Sequence, residues 1–163
     1  MSDGEKEEFG ERPLAQEGDP LAIDYIFHPR SVAIVGPSPQ LGLAGMGAAF
    51  VLALQDIGFE GGLYPVNPKH ENVLGLKCYP SLLDIPGPVD HVIFSVPVRA
   101  VLGVVDDCVA KGVKSMHFFT AGFSETGEEE GAELERQVVQ RARYTQTEQI
   151  WLKNIRKSGQ LLK

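Results

Sequence analysis

Short, almost wholly apolar runs punctuate this chain, and between them the apolar residues fall into a wider, helical spacing. Ser31-Val32-Ala33-Ile34-Val35-Gly36, Gly62-Leu63-Tyr64-Pro65-Val66, Asp90–Val96 and Val113–Phe119 lack the polar alternation of a strand wetted on one face. They predict strands covered on both sides, as in a parallel sheet. Residues 44–57 open on small residues (Ala44, Gly45, Gly47, Ala48, Ala49), continue with Phe50, Val51, Leu54 and Ile57, and stop at Gly58, which predicts a helix. Residues 98–111 repeat the pattern with Val101, Leu102, Val105 and Val109 on one side, Lys111 at the negative end and Gly112 beyond it, as a helix C-terminus favours. A last helix opens at Glu128–Glu130, where carboxylates suit the positive end of the dipole.

Smaller signals fill the gaps. Asp19 and Pro20 suit the cap and first position of a short helix carrying Leu21, Ile23, Tyr25, Ile26 and Phe27. It ends at His28-Pro29, because a residue before proline avoids the helical region. Leu74–Tyr79 reads as an extended piece, and Pro80–Ile85 as one helical turn stopped by Pro86-Gly87-Pro88. Pro65 has no N–H to give, which predicts a strand near the sheet edge, or a proline near the strand's end. Strands alternating with helices mean right-handed βαβ units, hence an α/β fold with a doubly wound parallel sheet and helices on both faces.

Composition bounds this picture. A chain of 163 residues is one domain plus tails, and 43% hydrophobic residues exclude wholesale disorder. Residues 1–19 are the exception: rich in Glu, Gly and Asp, they predict a disordered acidic leader. No apolar run approaches a membrane span, and the acidic start is not a secretory signal, so no membrane partner is expected. Cys78 and Cys108 form no CxxC pair, which argues against a disulfide scaffold or zinc ribbon and fits a reduced, cytoplasmic setting. The net charge of −7 is uneven: the leader holds seven acids and two bases, residues 20–135 hold fourteen and six, and residues 136–163 hold one and seven. The body therefore repels nucleic acid, and only the last segment, read first as a solvated basic helix, could attract it.

In an open parallel sheet, ligands bind beyond the carboxyl ends of the strands. Four segments fall there: GPSPQLGLAG (36–45), VNPK (66–69), SVPVRA (95–100) and TAGFSETG (120–127). Their Gly, Pro, Ser and Asn let the backbone approach a ligand and offer amide donors, which suits phosphate. The dinucleotide fingerprint GxGxxG is missing, since Pro37-Ser38 follows Gly36 and the next glycine is Gly42. The acid that would hold an unphosphorylated ribose after the second strand is replaced by Asn67-Pro68-Lys69. Lys69 favours a ribose that carries phosphate, as in NADP or coenzyme A; as a bland alternative it is a solvated turn lysine. No catalytic constellation emerges: no GxSxG elbow surrounds Ser38, Ser95 or Ser124, and His28, His70, His91 and His117 are scattered. His91 and His117 read as strand histidines, Cys108 as a buried small hydrophobe, and Glu125 and Glu128–Glu130 as caps of the last helix.

At these segments the chain resembles the coenzyme A-binding domain of the NDP-forming acyl-CoA synthetases, which include ADP-forming acetate–CoA ligase and, more distantly, the succinyl-CoA synthetase alpha subunit. The matching stretches are FHPRSVAIVGPS, GGLYPVNPKHENVLGLKCYPSLLDIP, PVDHVIFSVPVRAV and AGFSETGEEEG, in order over about residues 26–143. The resemblance implies a single Rossmann-like domain over residues 20–143 that holds the CoA nucleotide. By position, Gly36, Pro37, Ser38, Gly42, Leu43, Ala44 and Gly45 would line the phosphate loop. Val66, Asn67, Pro68 and Lys69 would lie by the ribose and its phosphate; Ser95, Val96 and Pro97 by the adenine or pantetheine arm; Ala121, Gly122 and Phe123 would close the far side. Family members often carry Lys or Arg in the first loop, where this chain has Gln40.

After Arg143 the resemblance stops. The family continues into a further strand, a GPN-containing loop and a domain with the phosphorylated histidine, whereas this chain reads YTQTEQIWLKNIRKSGQLLK. None of the four histidines matches the phosphorylated position, so with that domain and the ATP-grasp domain absent the full ligase reaction is not expected of this chain alone. Residues 144–163 read either as a helix docking on a partner subunit, with Trp151 as anchor, or as a loosely ordered end left by a shortened reading frame. Three functions follow: a CoA or acyl-CoA binding module of a larger ligase, an NAD(P)-binding sensor or oxidoreductase on the same fold, or an interaction subunit that completes a ligase through its basic tail.

Overall fold

A computed structural model of the protein describes residues 24–39, 46–143 and 151–153. The leader 1–19, the helix start at Asp19-Pro20, the loop residues Gln40, Gly42, Leu43, Ala44 and Gly45, and most of the basic tail lie outside the described residues. A four-residue turn of helix, α1 (Asp24–Phe27), leads into β1 (Ser31–Val35), then α2 (Met46–Asp56) and β2 (Gly62–Val66). A two-residue ladder follows, β3 (Asn72–Val73) against β4 (Leu76–Lys77), where one extended piece was expected. Its turn, Leu74-Gly75, has positive φ at both residues (51° and 81°), the hairpin geometry whose twist matches the strands. The expected helical turn is the 3-10 turn Leu82–Asp84, capped by Ser81. Then come β5 (His91–Phe94), α3 (Val101–Lys111) after a 3-10 turn, β6 (Ser115–Phe118), α4 (Glu129–Arg143) and β7 (Trp151–Lys153).

The sheet order is β2-β1-β5-β6-β7, every pair parallel. Period-two geometry divides each central strand between two cores. Val32, Ile34 and Ile93 face α2 and pack with Val51, Phe50 and Leu54. Ala33, Val35, Val92 and Phe94 face the other way, against Val101, Val105 and Cys108 of α3 and Val138 of α4. All residues of β1 and β5 are buried, so the apolar runs are what a doubly wound sheet requires. Gly112 ends α3 at φ 73°, donating to the Cys108 and Val109 carbonyls.

β2 is an edge strand of this sheet, as Pro65 predicts. The Pro65 carbonyl accepts the Tyr79 amide at 2.9 Å. The carbonyl and nitrogen of one strand residue point to the same side, so the missing donor faces outward rather than toward β1. β7 adds a strand to β6 where the sequence offers a continued helix or a loose end; three residues are too few to show a period. Among the described residues, no helix is long and apolar enough to cross a membrane.

Candidate functional site

Because all sheet pairs are parallel, the loops after β1, β2, β5 and β6 leave from one edge, and specific bonds tie each to the next. The Gly36 amide donates to the Val66 carbonyl at 2.9 Å, and the Ser95 amide to the Val35 carbonyl at 2.8 Å. Gly36 adopts φ 96°, and a Cβ there would fall 2.3 Å from the Ser95 carbonyl oxygen, so only glycine lets the first and third loops touch. Gly47, at the start of α2, likewise leaves room for Pro37, whose Cα a Cβ would meet at 2.7 Å. The Asn67 carboxamide donates to the Pro37 carbonyl at 2.8 Å and accepts the Lys69 amide at 3.0 Å. On the far side the Thr120 hydroxyl donates to the Val96 carbonyl at 2.9 Å.

The four corners thus form one continuous rim, but its residues do different work. Ser38, Ser95 and Val96 are half-buried, and Pro68, Lys69, Pro97 and Ala121 are exposed on it. Pro37 is buried beneath it. The Lys69 ammonium makes no hydrogen bond or ion pair within the described residues. The side chains of Val66 and Phe123 lie in the core at 3% and 1% exposure, so these two positions could offer a ligand only their backbone. Phe123 packs edge-to-face on Phe118, ring centres 5.7 Å apart, since burying an aromatic ring outweighs leaving it at a wet rim. Asn67 braces the rim internally rather than presenting a free amide.

Glu125 also differs from its expected role. Instead of capping the last helix, its carboxylate turns back on the preceding loop and accepts the Gly122 amide at 2.8 Å and the Phe123 amide at 3.2 Å. The Ser124 amide donates to Glu135 at 3.3 Å. Glu129 and Glu130 do occupy the first turn of α4. The fourth loop therefore gives these amides to Glu125 of its own and to Glu135 of α4. Beside it opens a cleft of about 340 Å³ between the starts of α3 and α4, with Val98, Leu102 and Leu134 among its walls. Neither helix alone betrays it, because a cleft made by packing two helices has no sequence period.

A family model described as CoA binding domain matches residues 30–148. The chain belongs to the CoA binding domain family. As a CoA binding domain it is 46% identical over 118 residues to acetate–CoA ligase [ADP-forming] II of Archaeoglobus fulgidus, covering 72% of this chain and 17% of the relative. It is 39% identical to the alpha subunit of acetate–CoA ligase [ADP-forming] I of Pyrococcus furiosus, covering 76% of this chain and 27% of that subunit. A solved dinucleotide forming acetyl-coenzyme A synthetase 1 of Ca. Korarchaeum cryptofilum, in complex with phosphate and ADP, superimposes with a TM-score of 0.72 at 38% identity, over 78% of this chain and 26% of that one. The CoA binding domain thus spans about a quarter or less of these relatives, and the NAD(P) alternative is not favoured.

The buried serine–histidine pair lies away from the rim. His91 and Ser115 begin β5 and β6, at the amino end of the sheet, with His91 Nδ1 2.7 Å from the Ser115 hydroxyl. Ser115 is fully buried, also within reach of the Tyr25 and Asp90 carbonyls, so this Ser–His pair has no access to a substrate. Burial, and secondarily the charge of His117, lowers His91 to about 4; burial also lowers His117. Burial raises both thiols, Cys108 strongly with Asp107 adding to it, and Cys78 against opposing hydrogen bonds from the Asn67 and Tyr79 backbone, so neither is a ready thiolate. Among the described residues no three His, Cys, Asp or Glu side chains cluster as a metal site.

Proposed function

We propose that this domain holds coenzyme A, free or as an acyl thioester, across the carboxyl edge of its sheet, as the nucleotide-holding part of an ADP-forming acyl-CoA ligase. The observation that carries the reading is the brace from Asn67 to Pro37, which fixes the loop bearing Lys69 against the loop that follows β1. Lys69 is the one cation of those two loops among the described residues. In this reading its ammonium meets the ribose 3′-phosphate, and Ser38 with the loop after Gly36 faces the pyrophosphate. Ser95, Val96 and Pro97 lie under the middle of the ligand, with Ala121 and Gly122 beyond them. The protein's part is binding and orientation. Acyl activation and phosphoryl transfer would come from the other regions of such a ligase, in the same chain or in a partner subunit.

The test is calorimetry with CoA, dephospho-CoA, NAD and NADP. CoA is expected to bind, and to bind more tightly than dephospho-CoA, because a charge-assisted contact contributes about 1.5–3 kcal/mol. Binding of NADP without binding of CoA would overturn the reading.

A further inference from the structure

At the amino edge of the sheet, opposite the rim, α1 lies over the Ser115–His91 pair without burying any side chain of its own. We infer that α1 is a latch on this edge, held there through Ser115 and His91 and released when the imidazole takes up a proton. The device does not depend on which ligand the rim holds.

Three observations converge. First, α1 covers what it does not join. Phe27 is 69% exposed, yet Ser115 is fully buried and His91 is 6% exposed. The Ser115 hydroxyl reaches the Tyr25 carbonyl of α1 at 3.3 Å. Secondly, the chain is pinned immediately after α1. The Arg30 amide donates to the Asp90 carboxylate at 2.9 Å, and the Arg30 carbonyl accepts the Gly62 amide at 2.9 Å. Movement is therefore confined to α1 and His28-Pro29, a segment with few buried contacts, which opens at lower cost than the core. Thirdly, one proton decides the contact. A hydroxyl has a single proton to give, and His91 Nδ1 stands 2.7 Å from the Ser115 oxygen. With the ring's proton on Nδ1, the ring donates and the hydroxyl is left to donate to the Tyr25 carbonyl, or to that of Asp90 at 3.4 Å.

A second proton, on Nε2, charges a buried ring. The Asp90 carboxylate is taken by the Arg30 amide and guanidinium. Asp24 and His28 around α1, Lys114 beside Ser115, and Asp56 and Glu60 at the end of α2 and beyond it are exposed. His117 of β6, 6.4 Å away between ring centres, adds like charge. Burial and His117 set the ring's low value, and no carboxylate offsets them. Lifting α1 gives the charge to water. With about 4 for the covered ring and 6.5 for the uncovered one, linkage raises the open-to-closed ratio about twentyfold between pH 7 and pH 5.

The experiment is amide hydrogen exchange by NMR on the full chain, corrected at each pH for the intrinsic rate. The His28 amide, bonded to the Asp24 carbonyl, reports α1; the amides of β1 and β5 report the sheet. The expected result is weaker protection at His28 than in β1 and β5 at every pH, falling about twentyfold from pH 7 to pH 5. The fall is expected to vanish in His91→Gln. Protection at His28 that ignores pH, that equals protection in β1 and β5 throughout, or that still falls in His91→Gln overturns the inference. Ring nitrogen shifts of the unaltered protein give a check that needs no variant. Neutral His91 is expected to carry its proton on Nδ1. A proton on Nε2 would take the Ser115 hydroxyl for the ring, leave nothing to hold Tyr25, and overturn the latch even if His91→Gln failed to fold.

Discussion

The Asn67 carboxamide donates to the Pro37 carbonyl at 2.8 Å and accepts the Lys69 amide at 3.0 Å, so one side chain fixes two loops. Asn67→Ala removes both bonds and leaves a half-buried carbonyl without its donor. The expected cost is about 1–2 kcal/mol of stability in denaturant titration, with weaker CoA binding because Lys69 is no longer held. Asn67→Asp keeps the acceptor for Lys69 but sets a carboxylate against the Pro37 carbonyl, and should be the worse of the two. An Asp variant as stable as the wild type would show that the brace is unimportant.

The Lys69 side chain is exposed and its ammonium makes no hydrogen bond or ion pair within the described residues, so its removal should leave stability untouched. Lys69→Met is expected to lower CoA affinity about tenfold, the equivalent of ~1.4 kcal/mol, and to leave dephospho-CoA affinity unchanged. Wild-type selectivity should also shrink as salt rises, because an exposed charge contact is screened. Calorimetry at two ionic strengths checks both statements; selectivity that survives the substitution places the 3′-phosphate elsewhere.

How much of this was legible depends on range. The strands at Val32–Val35 and His91–Phe94 were legible because burial on both faces leaves a continuous apolar signature. Gly112 announced the end of α3, and Pro65 the edge position of β2, through backbone chemistry that any sequence displays. The inward turn of the Phe123 ring was not legible, because one aromatic ring inside a loop has no periodic neighbours to say which way it turns. Glu125 was misread because an acid just ahead of a helix ordinarily serves that helix, and only the tertiary path brings the Gly122 and Phe123 amides to its carboxylate. The cleft by Leu102 and Leu134 depends on the packing of α3 on α4, a long-range event that neither segment records.

Gly36 offers a sharper test of the convergent rim. At φ 96°, with a Cβ position 2.3 Å from the Ser95 carbonyl oxygen, Gly36→Ala meets both backbone strain and a clash with a group that cannot swing away. Strain of this kind costs about 1–3 kcal/mol, and separating the loops should lower CoA affinity as well. Gly58 is the control, because it has φ 71° and nothing within 4 Å of its Cβ position. Gly58→Ala should therefore show only the smaller conformational penalty and leave binding unchanged. Equal thermal shifts for the two alanine variants would contradict the contact between the first and third loops.

His91 predicts how the fold responds to acid. Burial lowers its folded value to about 4, against an ordinary 6.5 in the unfolded chain. Above pH 6.5 the imidazole is neutral in both states and contributes no pH dependence. Between 6.5 and 4 the unfolded chain binds a proton that the folded chain refuses, so stability falls as pH falls. The loss levels off below 4 at about 3 kcal/mol, from 1.36 kcal/mol for each unit of difference. Across the same window His117, half-buried and 6.4 Å away between ring centres, is shifted in the same direction and adds to the slope. His91→Gln keeps a polar partner for Ser115 while removing the titration. Denaturant unfolding at a series of pH values should then give a shallower slope between pH 4 and 6.5 in the variant than in the wild type. Parallel curves would mean that the imidazole accepts its proton in the folded state, and that the Ser115 contact does not require the neutral ring.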